Sequence, residues 1–238
     1  MDVAENLRVV EERVAAACRQ AGRTSDEVTI VGVSKTFPAT LVAEACRAGL
    51  ADAAENRVQE AADKIPQVAA LGAQPRWHLV GHLQTNKVKT ALGLFDIIHS
   101  VDSLRLAEFV SRQADKTAVQ GAGPVAILLE VNAGAEASKS GFAPGETGRA
   151  LEQIARLPGL TVQGLMTVAP LAGDPEEVRP VFRELRHLRD ALGLRHLSMG
   201  MTDDFEVAIE EGATMVRIGR AIFGPREPSW EWKRPEGE

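Results

Sequence analysis

Residues 29–45 read TIVGVSKTFPATLVAEA, and this stretch contains the unit from which the fold is built. An apolar run typical of a buried strand ends at Ser34-Lys35, and Pro38 separates it from a helix-forming run that starts at Leu41. A lysine in this place is commonly a solvated surface residue. It can also be a reactive amine at the rim of an apolar pocket, and the rest of the chain decides between these two interpretations.

The strand-then-helix unit recurs along the chain. We predict strands at 29–35, 51–55, 76–81, 95–101, 125–132, 161–168, 196–199 and 215–219. We predict helices at 39–49, 57–71, 84–92, 103–115, 145–156, 174–192 and 203–211, and a short turn or helix at 220–223. Apolar residues at helical spacing from Val3 to Cys18 predict an extra N-terminal helix that stops near Gly22.

Strict alternation of this kind predicts a parallel sheet with crossover helices. Eight units in roughly 210 residues favour a closed (β/α)8 TIM barrel, whose usual size is about 250 residues. An open doubly wound sheet is the alternative, and it would require 51–55 and 196–199 to be loops.

Composition narrows the class of protein. Of the 238 residues, 45% are hydrophobic and 25% charged, which suits one globular domain over 1–238 with an irregular tail from about 225. The net charge of −6 is spread along the chain, so we expect no nucleic-acid partner. The sequence has no long apolar run and no signal-peptide pattern, so we expect no membrane span. Cys18 and Cys46 fit reduced thiols of a cytoplasmic protein.

The first and last predicted strands each carry a cationic side chain that faces the interior of the barrel. Side chains alternate between the faces of a strand, so Lys35 shares a face with Val33. On the last strand, Val216 and Ile218 suit the helix layer, which directs Arg217 into the barrel. A guanidinium does not lose its proton, so acceptors must lie beside it. Strands one and eight are neighbours in a closed barrel, and we therefore expect Lys35 and Arg217 to face the same volume.

The ends of strands seven and eight predict an anion site. Barrels often bind phosphate at these two loops, where Gly219 and Arg220 follow strand eight and Ser198 lies near the end of strand seven. Asp203, with Glu206 three residues later, predicts a capping box for the helix between them. A lysine beside another cation in a partly apolar pocket readily forms Schiff bases. A phosphate-bearing aldehyde fits, and pyridoxal 5′-phosphate (PLP) is the obvious candidate.

Histidines do not predict a metal site. His78 and His82 are four residues apart on one strand, which separates them by about 13 Å and prevents them from sharing an ion. We expect His78 and His99 to be structural residues of the core.

Several motifs resemble one known family. VGVSKTFPA, ENRVQEAADK, WHLVGHLQTNK, IHSVDS, EVN, KSGF, GLMTVAP and LSMGMTDDFEVAIEEGATMVRIGRAIFG are similar, in order, to the pyridoxal phosphate homeostasis proteins. These are single-domain relatives of the N-terminal barrel of alanine racemase, so the resemblance implies a barrel of that type. The match covers roughly residues 5–224. Ala54 stands where the family pattern has glycine, and Thr202 where serine is more usual.

The resemblance also implies roles for residues at the strand ends. Lys35 corresponds to the lysine that carries PLP as a Schiff base, and Arg217 to the arginine that faces the pyridine nitrogen. Asn56 corresponds to a neighbour of the ring. The implied phosphate ligands are Ser198, Gly219 and Arg220.

The same resemblance leads to an expectation about activity. Racemases of the related fold pair a lysine with a tyrosine as opposed bases, whereas this chain contains no tyrosine and ends at 238. We therefore expect a monomeric PLP carrier that buffers and delivers the cofactor with little or no turnover. Its ligands would be PLP and related B6 vitamers, and PLP-dependent apo-enzymes are candidate recipients. A small PLP-dependent amino-acid racemase is the alternative, and a phosphate-binding aldolase with Lys35 as its Schiff-base lysine is a third.

Overall fold

Eight parallel strands close into a barrel in a computed structural model that describes residues 2–117, 123–134 and 140–225. The strands are β1 (Thr29–Val33), β2 (Asp52–Glu55), β3 (Arg76–Leu79), β4 (Ile97–Val101), β5 (Val125–Glu130), β6 (Leu160–Met166), β7 (His196–Met201) and β8 (Met215–Ile218). Each strand pairs with the next, and β8 pairs with β1, so that Val31 lies opposite Arg217. The closed (β/α)8 barrel is confirmed. The open sheet is excluded because both of its required loops are paired strands.

Helices follow the strands in the predicted order. They are α1 (Val3–Gln20), α2 (Ala39–Arg47), α3 (Val58–Ala70), α4 (Val88–Leu92), α5 (Leu104–Thr117), α6 (Pro144–Ile154), α7 (Arg179–Ala191), α8 (Phe205–Glu210) and α9 (Arg220–Phe223). Short 3-10 turns lie at Ser25–Glu27, Thr85–Lys87 and Pro175–Val178. No helix in the described ranges is long and apolar enough to cross a membrane. The predicted tail from about 225 lies almost entirely beyond the described residues.

The extra N-terminal helix packs on the last part of the barrel. Asp2 caps α1, since its carboxylate accepts the N–H groups of Ala4 at 3.0 Å and Glu5 at 3.1 Å. The apolar stripe of α1 is buried against α8 and α9. This helix therefore supports the elements that follow β7 and β8.

Alternation of side chains gives the barrel two apolar layers. The outer layer fills the space between strands and helices and includes Val216 and Ile218. The inner cluster comprises Val31, Val33, Ala54, Ile97, Leu128, Met166 and Met215. The predicted inward face of strand eight is confirmed. Arg217 is only 5% exposed and lies two residues after Met215 of the inner cluster, whereas Val216 and Ile218 belong to the outer layer. Ala54 contributes its methyl group to this inner cluster.

Close approach of β6 and β7 requires a glycine. A Cβ on Gly164 would lie 2.1 Å from the carbonyl oxygen of His196, closer than any side chain tolerates. Because backbone cannot move aside cheaply, we expect Gly164→Ala to destabilise the protein by about 1–3 kcal/mol.

Gly145→Ala is the matched control, since nothing lies within 4 Å of its Cβ position on α6. Alanine favours the helix there, so we expect no loss and a gain of up to about 1 kcal/mol. Urea unfolding of both variants measures the difference. Equal stabilities would contradict the described pairing of β6 with β7.

Candidate functional site

Lys35 lies in a tight turn at the end of β1. The N–H of Phe37 donates to the carbonyl of Ser34 at 3.0 Å, which makes Lys35 and Thr36 the central residues of the turn. Thr36 has φ of 69°, a left-handed conformation that costs a β-branched residue about 1–2 kcal/mol. The half-buried Lys35 is thus presented from a strained backbone, and strain of this kind persists only where surrounding contacts impose it.

Those contacts come from β2 and α3. Glu60 accepts the N–H of Thr36 at 2.6 Å. The ammonium group of Lys64 donates to the Ser34 carbonyl at 2.7 Å, to Glu55 at 2.6 Å and to Glu60 at 2.8 Å. Lys64 therefore ties the backbone of the turn to two carboxylates.

Glu55, Glu60 and Lys64 form a clamp on the turn, and Glu55 is its most buried residue. Its side chain is 0% exposed, and it also accepts the hydroxyl of Ser34 at 2.6 Å. Burial raises the pKa of Glu55, although Lys64 acts in the opposite direction. A carboxylate in such a place is stable only while its cation remains.

Arg217 is the cation inside the barrel. It donates from Nη1 to the hydroxyl of Ser198 at 2.7 Å and from Nη2 to the carbonyl of Thr167 at 2.8 Å. In the described part of the chain it forms no salt bridge within 4.0 Å. Burial lowers its pKa to about 10, so it remains charged at neutral pH. Its direct acceptors are a hydroxyl and a carbonyl, and the nearby carboxylates of Asp204 and Glu130 favour its charged form without a salt bridge to it.

A chain of hydrogen bonds leads from Arg217 across the barrel interior. Ser198 contacts Nδ1 of His99 at 2.9 Å, and Nε2 of His99 contacts Nδ1 of His78 at 2.8 Å. Nε2 of His78 then contacts the carboxylate of Asp52 at 2.8 Å. The chain connects β8, β7, β4, β3 and β2, and both of its histidines are 0% exposed.

The loops after β7 and β8 are joined by an ion pair. Arg220 donates to Asp203, and both side chains are more than half exposed. The predicted capping box is wrong: the N-cap of α8 is Asp204, and Glu206 pairs with Arg13 at 2.5 Å. Arg220 and Arg13 bind these two carboxylates instead. A helix of only 6 residues also gains little from a capping box.

The remaining predicted residues lie at the start of α9 and at the end of β2. Gly219 is the N-cap of α9, whose first N–H groups have no partner within the helix. Asn56 lies at the edge of a cavity of about 710 Å³. The cavity is lined by Asn56, Arg57, Val58, Gln59, Glu60, Gly81, His82, Gln84 and Lys87. Glu60 links this cavity to the Lys35 turn.

The structure brings Ser198 and Arg217 into contact and places Gly219 directly beyond them. The hydroxyl of Ser198 is buried and already bonded to Arg217 and His99, which favours a role in holding Arg217 over contact with a phosphate. Neither the clamp around Lys64 nor the chain through His99 was predicted from the sequence. Within the described ranges, no cluster of three or more potential ligands could hold a metal ion.

Removal of Lys64 tests the clamp. Lys64→Met would leave Glu55 buried without its cation, and we expect a loss of about 3–5 kcal/mol in the free energy of unfolding. The double variant Lys64→Met/Glu55→Gln removes the stranded charge and should recover at least about 1 kcal/mol.

Lys89→Met, at an exposed position of α4, serves as the control and should change stability by less than about 0.5 kcal/mol. Urea unfolding measures all three variants. A loss below about 1 kcal/mol for Lys64→Met would show that the clamp does not hold the turn.

The buried histidine predicts a pH dependence. Burial, together with the nearby His78 and Arg217, holds the pKa of His99 well below its ordinary value. Below about pH 6.5 the unfolded chain binds a proton there that the folded chain does not, so folding stability falls as the pH drops.

His99→Gln keeps a donor and an acceptor but cannot be protonated. Between about pH 7 and about pH 5, we expect the difference in unfolding free energy to shift in favour of the variant by about 2 kcal/mol. Denaturant titrations at several pH values measure the shift, and parallel profiles for the two proteins would contradict it.

Comparison with known proteins agrees with the geometry. The model of the family "Alanine racemase, N-terminal domain" matches residues 6–227. The chain is 44% identical to the pyridoxal phosphate homeostasis protein of Aquifex aeolicus, over 95% of this chain and 100% of that protein. It is 40% identical to the protein of the same name from Escherichia coli K12, over 96% of this chain and 98% of that protein.

A solved structure extends the comparison. PipY of Synechococcus elongatus, solved with PLP bound, is 34% identical and has a TM-score of 0.79, over 93% of this chain and 100% of that chain. These matches confirm the resemblance drawn from the motifs. The chain belongs to the pyridoxal phosphate homeostasis protein family, within the wider family of the alanine racemase N-terminal domain.

Proposed function

We propose that this protein binds PLP as a Schiff base on Lys35 and acts in the cytoplasm as a monomeric carrier that buffers and delivers the cofactor. PLP-dependent apo-enzymes are its proposed recipients, and its own turnover is little or none. The observation that carries the proposal is Arg217, a buried cation with no salt bridge in the described residues, on the strand next to the one that leads into the Lys35 turn. The names of the relatives and the PLP bound to PipY support it.

The residues present fit PLP. A pyridine nitrogen is an acceptor, and Arg217 offers five N–H donors, of which Ser198 and Thr167 take two among the described residues. The start of α9 at Gly219 and Arg220 offers backbone N–H groups to a phosphate. Lys35 at the mouth of the barrel supplies the amine. When bound, PLP contributes an aldehyde that links reversibly to amines.

A carrier needs these contacts and no second base. The chain has no tyrosine. Cys18 belongs to the outer layer on α1, and Cys46 packs against that layer on α2, so neither faces the barrel interior. The ring nitrogens of His78 and His99 are bonded within the interior. None of these four described side chains is therefore positioned as a second base of the racemase type.

One observation favours a racemase as the second candidate. His82 lies at the cavity, 61% exposed, with Nδ1 3.2 Å from the carboxylate of Asp102, a contact that would orient its ring. Exchange of the α-proton of L-alanine in D₂O, with the PLP-loaded protein, separates the candidates. The carrier predicts exchange far below about 1 s⁻¹, the low end of enzymatic turnover. Enzymatic rates that are lost in His82→Gln would establish the racemase instead.

Borohydride reduction tests the anchoring residue. We expect wild-type protein with less than one equivalent of PLP to give a pyridoxyl adduct on the peptide that contains Lys35, identified by mass spectrometry. Lys35→Ala should lose that adduct, and the exposed control Lys89→Ala should keep it.

The result also separates PLP binding from the aldolase alternative, which predicts no adduct. A wild-type adduct on another lysine, with Lys35 unmodified, would overturn the assignment.

A further inference from the structure

The hydrogen-bond chain behind Arg217 starts from a fixed charge. Asp52 accepts Nε of Arg76 at 2.6 Å and lies 2.8 Å from Nε2 of His78. Although burial acts against it, the hydrogen bonds from His78 and Arg76 hold the pKa of Asp52 below its ordinary value. Asp52 is therefore an acceptor, and Nε2 of His78 must carry a proton to donate to it.

The hydrogen bond from Nε2 of His78 to Asp52 determines the direction of the other hydrogen bonds in the chain. With a single ring proton, on Nε2, His78 has an acceptor at Nδ1, so Nε2 of His99 donates to it. Nδ1 of His99 is then an acceptor as well, and the hydroxyl of Ser198 donates to it. The lone pairs of Ser198 remain for Nη1 of Arg217, which can only donate.

The opposite order does not satisfy these groups. For a singly protonated His78, a proton on Nδ1 of His99 would leave Nε2 of His99 and Nδ1 of His78 as two acceptors 2.8 Å apart. The hydroxyl proton of Ser198 would also lose its acceptor in a site closed to water. An unsatisfied buried polar group costs about 1–3 kcal/mol, and this order would leave more than one.

We propose that Asp52, His78 and His99 are positioning residues that fix the proton order of the interior, and through Ser198 the orientation of the Arg217 guanidinium toward the ring of the ligand. The inference rests on the proposed function, since it assigns to the ring of PLP the donors that Arg217 retains. Without a fixed neighbour, the hydroxyl of Ser198 could rotate. Nδ1 of His99, which only accepts in this order, holds the hydroxyl in one orientation and leaves its lone pairs for Arg217. The carbonyl of Thr167 provides the second anchor.

The first test concerns the proton order and needs no ligand. Two-bond ¹H–¹⁵N correlation spectra of the protein without PLP distinguish the tautomers of each histidine. We expect both His78 and His99 to be neutral with the proton on Nε2 at about pH 7. A proton on Nδ1 of His99, or a charged ring, would overturn the inference regardless of whether PLP binds.

The second test concerns the ligand. His99→Gln can donate to His78 and accept from Ser198, whereas His99→Phe keeps the ring shape and can do neither. We expect His99→Phe to weaken PLP binding about tenfold and to shift the absorbance maximum of bound PLP, because one oriented charge-assisted bond is disturbed. His99→Gln should remain within about threefold of wild type with the wild-type spectrum, as should the control His187→Gln on the exposed face of α7.

The outcomes separate the two claims. Folded His99→Phe with wild-type affinity and spectrum, or His99→Gln as impaired as His99→Phe, would contradict a positioning role while leaving PLP binding intact. Wild-type protein that fails to bind PLP would refute the proposed function, and the tautomers would still decide the proton order. If His99→Phe does not fold, the tautomers and the affinity of His99→Gln remain decisive, because a loss beyond about threefold in that variant would contradict the inference.

Discussion

The hydrogen bonds of Arg217 inside the barrel are the interaction on which the rest of the site depends. A guanidinium keeps its charge at neutral pH even where burial lowers its pKa to about 10, so the interior must solvate it. The structure does so with the hydroxyl of Ser198 and the carbonyl of Thr167. Neutral acceptors hold the side chain, and Asp204 and Glu130 act on its charge without a salt bridge, so this volume of the barrel still suits an electron-rich or anionic ligand.

Two buried polar systems support the site from different sides. The chain from Ser198 to Asp52 runs through the interior and ends in a carboxylate, so that Arg217 and Asp52 lie at opposite ends of two histidines. The clamp around Lys64 lies outside the strands, where it holds the turn at Lys35. One system fixes a donor and the other fixes an amine, and the adjacent strands β8 and β1 bring their ends together.

The barrel could be predicted from the sequence because strand and helix periods alternate with clear breaks such as Pro38. The inward direction of Arg217 followed from its apolar neighbours Val216 and Ile218. The partners of Arg217 could not be predicted, because they depend on which residues meet across the interior and on irregular pairing. Ser198 lies opposite Met215 while Met201 lies opposite Arg217, and this shift in register leaves no pattern in the sequence.

The Lys64 clamp and the predicted capping box show a second limit of prediction from the sequence. Glu60 and Lys64 have helical spacing, which predicts a surface pair, and only the fold reveals that Lys64 is buried beneath the lysine turn. The pattern at Asp203 and Glu206 predicts a local cap, yet distant arginines take both carboxylates. Predictions from local sequence patterns failed where a charged side chain had possible partners on other helices and strands.

The central claim is that a charged Arg217 donates to the ring nitrogen of bound PLP. Because Arg217 can only donate, that nitrogen must be an unprotonated acceptor. NMR of the protein loaded with ¹⁵N-labelled PLP measures its state directly. The account predicts the chemical shift of an unprotonated, hydrogen-bonded pyridine nitrogen at neutral pH, and the shift of a protonated pyridinium would contradict it.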